Sequence, residues 1–258
     1  MIKIRDAFDH GKAFVAFITC GDPDLETTAA VVRSAVKNGA DLIELGIPFS
    51  DPTAEGPVIQ GANLRALSGG VTTDQIFDLV RVLRNDVTVP MVFMTYANVV
   101  YSYGAEIFIS TCQKIGIQGL ILPDLPYEEK EEFLDLCHRY EVDLISLIAP
   151  TSDDRIAMIA EEAEGFVYLV SSMGVTGTRA EIQTDLTSIV ETIREHTKIP
   201  CAIGFGIARP EQARAMAALS DGAIVGSAII KIIEQYGRDA AVPVGEYVKR
   251  MKDAIRDL

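Results

Sequence analysis

Apolar residues fall along this chain in two rhythms. Short runs rich in Val, Ile and Leu, without polar alternation, cover 13–19, 41–46, 90–95, 119–123, 143–149, 166–171, 201–204 and 222–226. Longer stretches with apolar positions three and four apart lie between them, at 25–38, 74–85, 105–116, 127–140, 153–162, 185–197 and 210–219. A further one at 229–235 follows the last run, and 244–257 closes the chain. Runs that are apolar on both faces predict strands of a parallel sheet covered by helices. Eight strand–helix units in 258 residues match the count and size of a (β/α)8 TIM barrel. An open, doubly wound sheet is the rival, and the evenness of the units favours closure. The expectation is one barrel domain over residues 1–258. Segment 2–8 is expected to add an N-terminal helix over the barrel floor, and 58–67 an extra helix on the second strand-to-helix connection. Asp153 and Asp154 at a helix start, and Pro210 in a first turn, support the boundaries.

Composition narrows the partners. The hydrophobic fraction is 48% and the net charge −14, with no basic cluster. That argues against nucleic acid and anionic membrane, and any phosphate site must rely on backbone amides. Cys20, Cys112, Cys137 and Cys201 form no C-x-x-C pair. With no secretory pattern at the start and no run of ~20 apolar residues, the expected setting is the cytoplasm, with reduced thiols.

In this fold the chemistry gathers at the C-terminal ends of the strands. There the sequence places Thr19 to Asp22, the acidic loop after the second strand, Tyr96, Asn98 and Asp124. Glu44 stands out as an ionisable group inside Leu42-Ile43-Glu44-Leu45-Gly46. Either burial raises its pKa for proton transfer, or it is a structural acid paired with a Lys or Arg. A Gly-punctuated stretch, Ser171 to Thr178, reads as a lid. Gly204, Gly206, Gly226 and Ser227 after the last two strands, ahead of a short helix, read as a phosphate cradle. His10, His138 and His196 are assigned to helices, away from strand ends. No His, Cys or carboxylate cluster has metal spacing, and no Gly-x-Gly-x-x-Gly follows the first strand. Cys20 reads as a bystander thiol, and Asp51 as a loop acid bonding nearby amides or touching substrate.

These residues resemble the tryptophan synthase α subunit family over nearly the whole chain. The likeness rests on Phe17-Ile18-Thr19-Cys20-Gly21-Asp22-Pro23, Glu44-Leu45-Gly46-Ile47-Pro48-Phe49-Ser50-Asp51-Pro52, Met94-Thr95-Tyr96-Ala97-Asn98 and Pro123-Asp124-Leu125-Pro126. Gly174-Val175-Thr176-Gly177, Gly204-Phe205-Gly206-Ile207 and Gly226-Ser227-Ala228-Ile229 complete it. The resemblance implies retro-aldol cleavage of indole-3-glycerol phosphate to indole and glyceraldehyde 3-phosphate. It also implies a β subunit that carries pyridoxal phosphate, in an α2β2 assembly, and no cofactor in this chain. Glu44 would act as acid and base, semi-buried at a strand end, and Glu55 would accept the indole N–H. Phe17, Tyr96, Leu122, Tyr168 and Phe205 would wall the ring, with Tyr168 in reach of Glu44. Thr176 would belong to the lid, while Gly177, Gly206, Gly226 and Ser227 would hold the phosphate. The partner would meet the loops near 48–57 and 98–103, with Val99 and Val100 buried against it.

One departure matters. The family has aspartate where this chain has Glu55, which lengthens the reach by one methylene, roughly 1.3–1.5 Å, and a misplacement of about 1 Å can cost ~100-fold in rate. Thr53 replaces an aliphatic residue and Ala16 a proline. The alternative reading is therefore a mainly regulatory α partner that activates β with weak catalysis of its own. A third is another phosphate-binding barrel enzyme, such as a sugar-phosphate isomerase.

Overall fold

A computed structural model describes residues 2–171, 186–204 and 206–258. Its strands are β1 (Ala13–Thr19), β2 (Leu42–Gly46), β3 (Met91–Met94), β4 (Gly119–Ile121), β5 (Asp143–Leu144), β6 (Leu147–Ile148), β7 (Val167–Val170), β8 (Cys201–Gly204) and β9 (Gly222–Val225). Every pairing is parallel, in the order β5-β4-β3-β2-β1-β9-β8-β7-β6. The two edge strands are successive pieces of the segment expected as one strand at 143–149. The Ile145 N–H donates to the Leu120 carbonyl at 2.9 Å on one side, and the Tyr168 N–H donates to the Ser146 carbonyl at 3.0 Å on the other. The fifth strand thus serves β4 with its first half and β7 with its second. This is how a staggered parallel sheet closes into a barrel, and it explains why regular pairing breaks at Ile145-Ser146.

The helices are α1 (Leu25–Lys37), α2 (Pro57–Ser68), α3 (Thr73–Leu83), α4 (Ala97–Tyr103), α5 (Ala105–Ile115), α6 (Glu131–Arg139), α7 (Asp153–Glu161), α8 (Leu186–His196), α9 (Pro210–Leu219), α10 (Ser227–Tyr236) and α11 (Ala241–Ile255). Local chemistry sets their starts. The Asp24 side chain accepts from the Thr27 N–H, and Thr72 and Gln75 form a reciprocal box. Pro57 and Pro210 open α2 and α9, where a missing N–H costs nothing. Two expectations change. Segment 2–8 is a 3-10 turn, Ile4–Ala7, rather than a helix, and four residues are too few to close α-helical hydrogen bonds. It still covers the floor. Ile4 is buried, and its Cδ1 would sit 2.8 Å from a Cβ on Gly119 and 2.9 Å from one on Gly165. Residues 98–103, expected as a loop, lie in α4.

The strands are the core. Every residue of β1, β2 and β3 is buried, as continuous apolar runs covered on both faces require. Parallel order puts all C-terminal ends on one rim, and α2 and α4 are inserted there. Among the described residues, no helix is long and apolar enough to cross a membrane.

Candidate active site

Glu44 is the third residue of β2, paired in register with Phe17 on β1 and Val92 on β3. Phe17 and Glu44 line one chamber with Met94, so the inward faces of three adjacent strands meet there. Glu44 is fully buried, not semi-buried, and lies in the strand's middle rather than at its end. Neither carboxyl oxygen has a hydrogen-bond partner, and no Lys or Arg pairs with it among the described residues. The described residues therefore supply no counter-charge for the structural-acid reading. Burial, and secondarily the nearby Glu55 charge, push its pKa up to about 8.

Glu55 reaches the same chamber from the loop ahead of α2 and is 6% exposed. Its Oε2 accepts from Asn63 Nδ2 at 2.6 Å, and its carbonyl accepts from Gln60 Nε2 at 2.7 Å. Burial lifts this carboxyl to about 7, with the Asn63 bond acting in the opposite direction. Two acids thus face one enclosed space, both raised into the neutral range.

Two aromatic rings frame the acids, and glycines make room for them. A Cβ on Gly46 would come within 2.7 Å of Phe17 Cζ, and one on Gly204 within 2.7 Å of Tyr168 Cε1. Real Cβ atoms do not approach that closely, so only glycine admits these rings. The Tyr168 phenol is raised well above its usual range, first by burial and then by Glu44, which places the two side chains together. Gly206, at φ 79°, and Gly226 with Ser227 at the start of α10 complete the chamber. Gly226, the N-cap of α10, has no side chain to cap it, and because Gly226 and Ser227 both line the chamber the helix's positive end borders that cavity.

The comparisons with known proteins fit this arrangement. The family model described as tryptophan synthase alpha chain matches residues 5–256. The chain belongs to that family. It is 48% identical over 256 residues to the tryptophan synthase alpha chain of Lactiplantibacillus plantarum, covering 99% of this chain and 97% of that one. Against the Lacticaseibacillus casei protein it is 46% identical over 255 residues, 99% and 96% of the two chains. Among solved structures, tryptophan synthase subunit alpha from Legionella pneumophila superposes with a TM-score of 0.90 at 35% identity, covering 100% of both chains. A chain of the Pyrococcus furiosus tryptophan synthase complex gives 0.87 at 31%, covering 95% of this chain and 99% of that one.

Of the residues expected at a family site, the structure brings Glu44, Glu55, Phe17, Tyr168, Gly206, Gly226 and Ser227 to one chamber. Two are placed differently. Tyr96 is buried behind the loop, where its hydroxyl accepts from the Ala54 N–H at 3.2 Å and its ring packs 5.1 Å from Phe49. Leu122 lines a neighbouring cavity of ≈390 Å3 with Ala54, Pro123 and Val170. Consecutive residues, Ala54 and Glu55, line the two cavities, so this loop is the partition between them. Thr176, Gly177 and Phe205 lie outside the described residues.

Sequence reasoning missed Ile59, Ile207, Ile224 and Met94 as lining, and Asn63 as the partner of Glu55. Helical spacing held the signal for two of these: Ile59 and Asn63, four apart, share a face. The chamber itself measures ≈30 Å3, room for one or two waters and far less than a bicyclic ring needs.

The decoys resolve simply. His138 pairs with Glu164, His196 with Glu161 at 3.0 Å, and His10 is exposed in a turn rather than in a helix. All four cysteines are free and buried, and burial pushes the Cys20 thiol far up. Among the described residues no group of His, Cys, Asp or Glu is arranged to hold a metal.

Proposed function

We infer that the chain is a carbon–carbon lyase that cleaves indole-3-glycerol phosphate to indole and glyceraldehyde 3-phosphate in tryptophan biosynthesis. The observation that carries this is the pair Glu44 and Glu55, raised to about 8 and about 7, facing one aromatic chamber bordered by the N-terminus of α10. Near pH 7 Glu44 holds a proton and Glu55 is partly ionised. Glu44 gives its proton to indole C3, and Glu55 accepts the ring N–H and steadies the positive charge that develops. Glu44, now a carboxylate, takes the proton of the side-chain hydroxyl next to C3. The C–C bond breaks, a carbonyl forms on the glyceraldehyde phosphate, and the bonding electrons return to the ring. The proton given to C3 stays on indole and the hydroxyl proton replaces it on Glu44, so no net acid or base is consumed. Gly206, Gly226 and Ser227 hold the phosphate through backbone amides and a hydroxyl at the start of α10. The ring enters where the Ala54-Glu55 partition parts the two cavities.

The work is done within one barrel domain in the cytoplasm, with side chains alone, and pyridoxal phosphate belongs to a β partner in an α2β2 assembly. The rim around α2 and α4 is the proposed docking face. Val100 is already buried in the barrel's own core, while Tyr101 is 74% exposed and is the residue offered to a partner. The placement of Glu55 in the chamber gives the regulatory alternative no support.

The test is steady-state cleavage of indole-3-glycerol phosphate by the chain alone and with a β subunit, for wild type and Glu44→Gln. Turnover by wild type, stimulated by β and lowered about 1000-fold in Glu44→Gln, is expected. No cleavage by wild type under either condition would overturn the reading.

A further inference from the structure

Glu55 carries one methylene more than the aspartate of the family pattern, and its carboxylate must still sit at a defined point in the chamber. The structure contains a device that can set that point. Asn63 lies two turns into α2, is buried, and donates from Nδ2 to Glu55 Oε2 at 2.6 Å. Its own position is fixed from several sides. Ala62 and Ala66 bury the neighbouring face of the helix. Two residues on, Arg65 grips buried Asp22 with two bonds of 2.8 Å, from Nε and from a terminal nitrogen, and reaches Glu234 of α10 at 3.0 Å. The start of the helix is tied to the loop by Gln60, whose side chain bonds the Glu55 carbonyl. Glu55 is therefore held at its backbone by one residue of α2 and at its tip by another. A flexible side chain becomes a preorganised one.

We propose that Asn63 is a positioning residue for the cleavage reaction, pinning Oε2 of Glu55 so that Oε1 meets the substrate's ring N–H. The inference rests on the lyase reading above. Asn63 touches no reacting atom and acts only through Glu55. The bond favours the ionised form of Glu55, because a donor to a carboxylate is worth more than a donor to a carboxylic acid. The titratable groups that bear on Glu55 among the described residues are Glu44 on β2 and Tyr96 at the start of α4, and neither supplies a positive charge. Asn63 is thus the group that opposes the effect of burial.

The experiment is the pH profile of kcat and KM for indole-3-glycerol phosphate cleavage, with a β subunit, for wild type, Asn63→Ala and Asn63→Asp. Asn63→Ala is expected to lower kcat tenfold to about 100-fold with little change in KM. Its acidic limb should move to higher pH, since Glu55 loses the donor that favours its charged form. Asn63→Asp keeps the volume and replaces the donor with a like charge, so its limb should move further, by about one pH unit or more. Asn63→Asp also covers the case in which Asn63→Ala fails to fold. If both variants lose only thermal stability and their pH profiles overlie that of wild type, Asn63 is structural and the proposal is wrong. If wild type itself does not cleave, the lyase reading fails and this inference falls with it, an outcome distinct from the first.

Discussion

Among the described residues Glu44 is an acid without a hydrogen-bond partner, and that isolation suits it to proton transfer. A buried carboxylate with no hydrogen bond is costly, so the group keeps its proton to about 8 and can deliver it at neutral pH. Together with Glu55 at about 7, it predicts a bell-shaped dependence of kcat/KM on pH. The rate should rise as Glu55 ionises and fall as Glu44 does, with a maximum between about 7 and 8. A rate profile flat from pH 6 to 9 would contradict this. The same shifts bear on stability. Both folded-state pKa values lie above the unfolded value, so the folded protein binds more protons between about 4.5 and 8. Stability from these groups is full below the unfolded pKa and is lost as pH rises through 7 and 8. Measured from pH 5 to pH 8.5, the fall in Tm should be shallower in Glu44→Gln than in wild type. Both acids were legible in the sequence, since one interrupts an apolar strand and the other ends an acidic loop. The burial of Glu44 was expected from the apolar strand around it, whereas the burial of Glu55 and the mutual charge were not legible, because these depend on segments far apart in the chain.

At the scale of elements, the site is shaped by what neighbouring strands lack. Gly46 and Gly204 leave room for Phe17 and Tyr168, which narrows the chamber to its acids. Gly204→Ala forces a Cβ into the Tyr168 ring and should cost about 1–3 kcal/mol, with lower turnover; thermal denaturation beside a cleavage assay checks both. Helix α2 is the second shaping element. Asp22 is almost wholly buried, and Arg65 is its charged partner. Arg65→Ala should destabilise by about 3 kcal/mol, the lower end for a broken buried pair because the Arg65 side chain is 32% exposed; urea titration would register it as a lower midpoint. Strand and helix positions were readable from periodicity. The break in the fifth strand and the helix α4 were not: barrel closure imposes the first, and residues 98–103 carry too short a pattern to distinguish helix from loop.

For the molecule as a whole, parallel order brings every strand's C-terminal end to one rim, and this turns scattered loops into a site. The same rim carries the exposed ring of Tyr101 on α4. Tyr101→Asp should weaken association with a β subunit more than tenfold, while leaving the melting temperature of the isolated chain within a degree or two. Titration calorimetry and a melting curve separate the two effects. Unchanged affinity in a variant that melts as wild type does would refute the docking face.

What the sequence determined by itself was local and repetitive: eight apolar runs, the helices between them, the caps, the glycines after the last two strands and an acid inside the second strand, with an acidic loop after it. Each follows from period, propensity or residue chemistry within a few positions. What only the tertiary structure decided depends on distance across the chain. That Glu44 has no counter-charge among the described residues, that Asn63 reaches back to Glu55 and that Tyr96 stands behind the loop are facts of packing. So is the presence of Leu122 in the neighbouring cavity. Burial and electrostatics sum over everything within a few ångströms, and the chain brings those neighbours together only when the ring of strands closes.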